Sequence, residues 1–237
     1  MTPADRLIVA LDGDTAAMGA VFLRIHINTP IRWFKISPGL LLQHSGMTFV
    51  ENMMREDGVN LMYDGKIYDT RDTVERTVKA AFDLGARFVT VHATPSVMEA
   101  AMRAKPADER CKVLAVSNLS DNPVEFSSSR LRYALSICDG AICSGRMTEY
   151  VRQWISKDKL LVCPGIRRRW PVGYINKGPE SYSTPVESQP ANNHVHPTTP
   201  AEALCAGADY LVVGRPIWQA PDPVAAARAI IAEMETA

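Results

Sequence analysis

Eight short runs rich in Val, Ile, Leu and aromatic residues alternate along this chain with eight helix-like segments. The strand-like runs are "RLIVAL" (6–11), "IRWFKI" (31–36), "VNLMYD" (59–64), "RFVTVH" (87–92), "CKVLAV" (111–116), "DGAICS" (139–144), "KLLVCP" (159–164) and "DYLVVG" (209–214). Helix-like segments fall at 15–25, 39–56, 72–84, 96–104, 123–136, 146–156, 200–206 and 222–235. Eight such pairs in 237 residues, 46% of them hydrophobic, predict a single (β/α)8 TIM-barrel domain over 1–237. A doubly wound open sheet is the alternative topology. One segment breaks the rhythm. Residues 165–198 carry Pro171, Pro179, Pro185, Pro190 and Pro197, and a loop of that length inside a compact domain suggests a functional lid or an insert.

Strand alternation then sorts side chains, because residues two apart share a face. In the first strand Leu7, Val9 and Leu11 face the helices, while Ile8, Ala10 and Asp12 face the barrel interior. In the second, Phe34 and Ile36 face outward and Ile31, Trp33 and Lys35 inward. In the third, Val59, Leu61 and Tyr63 face outward and Asn60, Met62, Asp64 and Lys66 inward. Asp12, Lys35, Asp64 and Lys66 therefore converge near the C-terminal strand ends, the rim where barrel active sites lie. Two acids and two lysines there can pair neutrally.

The formal net charge of +0 gives no support for nucleic-acid or membrane-surface binding. Five scattered cysteines without a C-x-x-C favour reduced thiols and a cytoplasmic protein. The start, "MTPADRLIVALDGD", has no basic region before its apolar run, so no signal peptide is expected, and no stretch suits a membrane span. No Cys/His cluster has metal-ligand spacing, and "HVH" at 194–196 is weak support for a metal. Asp69 and Thr70 also read as a helix cap, His92 as a hydrogen-bonded structural residue, and Cys143 and Cys163 as small buried hydrophobes. The basic run Arg167 to Arg169 reads first as a solvated loop face.

Several stretches resemble orotidine 5′-monophosphate decarboxylase: "VALD" (9–12), "FKIS" (34–37), "DGKIYDT" (64–70), "VHA" (91–93), "LAVSNLS" (114–120), "CPGIR" (163–167), "TPAEALCAGADYLVVGRPI" (199–217) and "DP" (222–223). They run in family order over nearly the whole chain. The D-x-K-x-x-D element also occurs in ketogulonate-phosphate decarboxylase and hexulose-phosphate synthase, which use Mg²⁺ and place a carboxylate on the second strand. Lys35 stands there in this chain, and an ammonium repels a cation.

The resemblance implies cofactor-independent loss of CO₂ from C6 of orotidine 5′-monophosphate to give UMP, in pyrimidine synthesis. Lys66 is expected beside C6 as cation and proton donor, with Asp64 near the departing carboxylate. Lys35 and Asp12 are expected on the ribose hydroxyls. Asp69 is expected to reach a partner subunit's site in a homodimer, with Thr73 near it. Ser120 falls where the family binds the pyrimidine. Gly214 and Arg215, with backbone around Gly165, are expected on the phosphate. His194 takes the approximate place of a phosphate-gripping glutamine. The chain departs from the family pattern at "DTRDT" (69–73), at "NNHVHPTTP" and at Ser37. Two alternatives therefore stay open: action on a modified pyrimidine nucleotide, and a catalytically silent nucleotide-binding barrel.

Overall fold

The structure, a computed structural model, describes residues 1–117, 128–168 and 198–237. Eight parallel strands close into one barrel in chain order: β1 (Leu7–Leu11), β2 (Trp33–Ile36), β3 (Asn60–Ile67), β4 (Ala86–His92), β5 (Lys112–Val116), β6 (Gly140–Ile142), β7 (Leu160–Cys163) and β8 (Tyr210–Val213). The β1–β8 pairing that closes it excludes the open doubly wound sheet. Among the described residues the helices are α1 (Thr15–Asn28), α2 (Pro38–Leu41), α3 (Gly46–Met53), α4 (Arg71–Asp83), α5 (Pro95–Ala104), α6 (Ser128–Ile137), α7 (Gly145–Arg152), α8 (Pro200–Cys205), α9 (Arg215–Trp218) and α10 (Pro223–Met234).

Local chemistry starts several of these helices. The Asp14 carboxylate accepts from the Ala17 amide, and Asp222 accepts from Val224. Thr199 and Glu202 form a capping box around Pro200, whose missing N–H costs nothing in the first turn. The helix expected over 39–56 is instead two, α2 and α3. A Cβ on Gly46 would lie 2.1 Å from the Leu40 carbonyl oxygen, so only glycine allows this tight turn. Gln43, between the two helices, accepts from the Thr15 amide at 2.7 Å and donates to the Gly13 carbonyl at 3.2 Å. The interruption thus ties the turn to the start of α1.

Packing follows the alternation. Leu7, Val9, Leu11, Phe34, Ile36 and Leu61 belong to the layer between sheet and helices. Ile8, Ala10, Trp33, Met62, Phe88 and Tyr210 fill the barrel interior with Leu114, Val162 and Val212. Ile31 departs from expectation. It precedes β2 and packs in the outer layer, because the strand pairing that enforces alternation starts only at Trp33. Trp33, Phe88 and Tyr210 meet as an aromatic trio, with centroids 4.3 Å (Trp33–Phe88), 5.2 Å (Trp33–Tyr210) and 5.1 Å (Phe88–Tyr210) apart. Each such contact is worth about 0.5–1.5 kcal/mol beyond its buried area. They plug the interior below the charged rim.

The opposite ends of the strands are closed by buried-edge polar clamps. Asp209, just before β8, accepts from the Leu161 amide at 2.7 Å and from Arg152 at 2.6 Å. Asp139, just before β6, likewise accepts from the Val113 amide at 2.8 Å and pairs with Lys105 at 2.7 Å. Each aspartate joins its strand to the preceding one, so charge at this end serves closure.

Candidate active site

Asp12 follows β1, Lys35 lies on β2 and Asp64 on β3, and all three meet at the C-terminal rim as expected. The Lys35 Nζ donates to Asp12 Oδ1 at 2.8 Å and stands 3.2 Å from Asp64 Oδ2. Lys66 Nζ donates to the same Asp64 oxygen at 2.8 Å. The charges therefore alternate along a chain: Asp12, Lys35, Asp64, Lys66. Its middle is buried and its ends are open. Side-chain exposure is 41% for Asp12, 8% for Lys35, 12% for Asp64 and 43% for Lys66.

This gradient shapes the electrostatics. Burial pushes the Lys35 ammonium down, but the Asp64 and Asp12 carboxylates outweigh it and leave the net shift upward. Burial likewise pushes the Asp64 carboxyl up, while Lys35 and Lys66, aided by hydrogen bonds from Lys66 and Thr90, bring it below the usual carboxylate range. Both buried groups are thus held charged. Lys66, at the open end, is the cation presented outward.

Lys66 does not reach that place by simple alternation. Tyr63 pairs with Val89 and Ile67 with Val91, so Asp64, Gly65 and Lys66 on β3 stand opposite only Thr90 on β4. Lys66 takes φ 43°, a left-handed conformation, and is the one non-glycine with positive φ among the described residues. Such a conformation costs of order 1–3 kcal/mol and persists where the surroundings enforce it. A Cβ on Gly65 would come within 2.7 Å of Tyr63 Cε1, so glycine suits the tightest point of the bulge. The enforcing contact is Thr90, a residue the sequence reading passed over. Its hydroxyl accepts from the Lys66 amide at 2.9 Å and donates to Asp64 Oδ1 at 2.9 Å. Thr90 is 0% exposed. The available signal was its place between Phe88 and His92 on the inner face of β4, a hydroxyl where an apolar residue would pack.

The remaining predicted residues are more dispersed. Asp69 is exposed, and its carboxylate accepts from the adjacent Thr70 amide at 2.7 Å. Thr70 is the N-cap of α4 but makes no side-chain cap bond, and instead its hydroxyl donates to Thr73 at 3.1 Å. Thr70 thus holds the cap position of α4, as the helix-cap reading has it, but without a side-chain bond to the helix amides. Gly165 follows β7 with φ 78°, and Gly214 and Arg215 follow β8 at the start of α9. A Cβ on Gly214 would sit 3.4 Å from the Ala10 Cβ. Among the described residues the Arg215 side chain has no hydrogen-bond or ion-pair partner. Ser120, Arg169 and His194, with residues 169–197 of the expected lid, lie outside the described residues. The described ends of that segment meet, through a parallel bridge between Ile166 and Thr198. Arg168 there pairs with Glu233 at 2.9 Å. His92 shares a 3.0 Å hydrogen bond with Thr94 and packs near Tyr68. Cys143 and Cys163 are buried, and burial pushes the Cys143 thiol up to about 11.

Fold and rim together define a (β/α)8 barrel built around an alternating Asp–Lys–Asp–Lys array, with a left-handed lysine at the array's open end. The chain belongs to the orotidine 5′-phosphate decarboxylase / HUMPS family, whose profile matches residues 5–230. It is 36% identical to orotidine 5′-phosphate decarboxylase of Rhodopseudomonas palustris (strain BisB5), over 98% of this chain and 96% of that one. It is 34% identical to the enzyme of that name from Methylobacterium sp. (strain 4-46), over 100% of this chain and 98% of that one. The crystal structure of orotidine 5′-phosphate decarboxylase from Lactobacillus acidophilus superposes with a TM-score of 0.75 at 26% identity, covering 97% and 99% of the two chains. The structure from Pyrococcus horikoshii OT3 (TM-score 0.72, 24% identity, 97% and 99% coverage) shares the fold. No described helix is long and apolar enough to cross a membrane.

Proposed function

We propose that this chain decarboxylates orotidine 5′-monophosphate to UMP without a metal or other cofactor, as a step of pyrimidine synthesis. The observation that carries the reading is the charge array, in which Lys66 projects from a buried Asp64 already held by Lys35. As the C6–carboxylate bond breaks, CO₂ leaves and its bonding electron pair stays on C6. The Lys66 ammonium, placed beside C6, stabilises that carbanion and then transfers its proton to it. Solvent returns the proton to Lys66. Asp64 positions the ammonium and lies near the departing carboxylate. Both carboxylates that could draw a cation to this rim already face the Lys35 ammonium, which supports the cofactor-free reading over the metal-using members of the family.

Lys35 and Asp12 bind the ribose hydroxyls in this reading. Arg215, Gly214 and the Gly165 backbone take the phosphate, assisted by His194, and Ser120 meets the pyrimidine. Arg215 has a guanidinium to offer an anion, since no described carboxylate occupies it. Asp69 and Thr73 act across the interface of a homodimer, in keeping with the exposed position of Asp69. The deciding experiment is UMP formation from orotidine 5′-monophosphate by the purified protein in EDTA. Activity that vanishes on chelation, or no activity on this substrate, sinks the proposal.

A further inference from the structure

We infer that Thr90 is a positioning residue for this reaction, a buried brace that sets both the Asp64 carboxylate and the Lys66 backbone. The inference rests on the site reading above and goes beyond it, since Thr90 touches neither substrate nor the reacting atoms in that reading.

The geometry carries it. One hydroxyl serves two residues of the array at once, accepting from Lys66 N and donating to Asp64 Oδ1, each at 2.9 Å. A hydroxyl is the small group that can do both, with one proton to give and lone pairs to receive. The two bonds fall where ladder pairing between β3 and β4 is interrupted, so the Lys66 amide has Thr90 as its partner in place of a strand carbonyl. Asp64 Oδ1 is committed to Thr90 while Oδ2 takes both lysines. The carboxylate plane is thereby fixed, and with it the direction in which Lys66 Nζ is drawn. Thr90 itself is rigid: it is fully buried, β-branched, and held mid-strand by pairing to Leu114 on β5. A left-handed lysine at a proposed reaction centre needs such a support, because a lysine released to ordinary strand geometry would swing its ammonium away.

The experiment compares Thr90→Val with Thr90→Ser in the full chain. Valine keeps the branched shape and loses both bonds, whereas serine keeps the hydroxyl. Lys66 amide exchange by NMR needs no substrate, and it should speed up by about tenfold or more in Thr90→Val, as expected for losing a buried hydrogen bond. Turnover should fall by roughly 10- to 100-fold, while UMP affinity stays within about threefold, the pattern of a contact that matters at the transition state. Thr90→Ser should restore both readouts. If Thr90→Val does not fold, Thr90→Cys, with its weak hydrogen-bonding thiol, takes its place. Unchanged amide protection overturns the brace. Unchanged turnover, or equal losses of turnover and UMP affinity that serine does not rescue, overturns the positioning role. Absence of decarboxylation in the wild type removes the proposed reaction instead, and the amide measurement still decides the brace.

Discussion

Lys66 Nζ lies 2.8 Å from the Oδ2 of Asp64, two residues earlier on the same strand, although Lys66 has left strand geometry with φ 43°. On a regular strand these side chains would be parallel neighbours on one face. The bulge turns that neighbour relation into a direct ion pair and leaves the ammonium 43% exposed at the rim. A buried acid and an accessible cation are thus joined in one unit, which suits charge stabilisation at a reacting atom.

Lys66→Ala removes both the cation and the proton donor of the proposed reaction. Turnover should fall by many orders of magnitude, with the fold retained. Steady-state and single-turnover assays of UMP formation check this. A mutant keeping more than about a tenth of wild-type activity has lost less than ~1.4 kcal/mol, too little for the residue at the reaction centre.

Lys35→Met should destabilise the fold as well as impair catalysis, because it strips a buried countercharge from Asp64. Breaking a buried pair costs about 3–5 kcal/mol, and the surviving Lys66–Asp64 contact places this case toward the lower end. Urea denaturation of mutant and wild type measures the difference. An unchanged midpoint would show that the array contributes nothing to stability.

The pH dependence follows from the two shifted groups. Asp64 is depressed in the fold by its lysine partners despite the opposing effect of burial, so its stabilisation is present above an unfolded carboxyl value of about 3.9. That contribution is lost as pH falls through the lower folded value. Lys35 is raised by its two carboxylates against burial, so its stabilisation is complete below an unfolded value of about 10.4 and fades as pH rises through the folded one. Thermal unfolding should show a weaker acid-side decline in Asp64→Asn than in wild type. Identical acid limbs would remove Asp64 from that account.

Arg215→Ala should weaken UMP binding by roughly 2–4 kcal/mol, within the range for losing a buried charge-assisted contact. Calorimetric titration reads this directly, and wild-type affinity in the mutant would remove Arg215 from the phosphate site. His194→Ala should have the smaller effect.

Mixing Lys66→Ala with Asp69→Ala protein tests the shared-site dimer. Each is expected to be inactive alone, and a heterodimer with Asp69 acting in trans contains one site free of both lesions. Activity should recover after subunit exchange. No recovery, with exchange demonstrated by differently tagged subunits, places Asp69 in its own subunit's site or outside the chemistry.

Much of the barrel was legible because its signals are local. Alternation over Leu7–Leu11, Phe34–Ile36 and Leu61–Asp64 assigns each side chain to a face, and the faces are those observed, with charged residues following the apolar floor on the inner one. The strand-and-helix rhythm predicted the eightfold unit, since period, run length and β-branched content together separate a helix from a strand. Other features depend on residues far apart in sequence. The break between α2 and α3 is tied to Thr15 and Gly13, which no pattern within 39–56 records. Ile31 joined the outer layer because the alternating register begins only where β2 starts to pair. At the site, the sequence alone placed Asp12, Lys35, Asp64 and Lys66 at one rim. Only the tertiary structure decided that both lysines share one Asp64 oxygen, and that Thr90 takes the other together with the Lys66 amide. The physical reason is the mismatch of β3 against β4: a bulge is a relation between two strands, and it is written in neither one's periodicity.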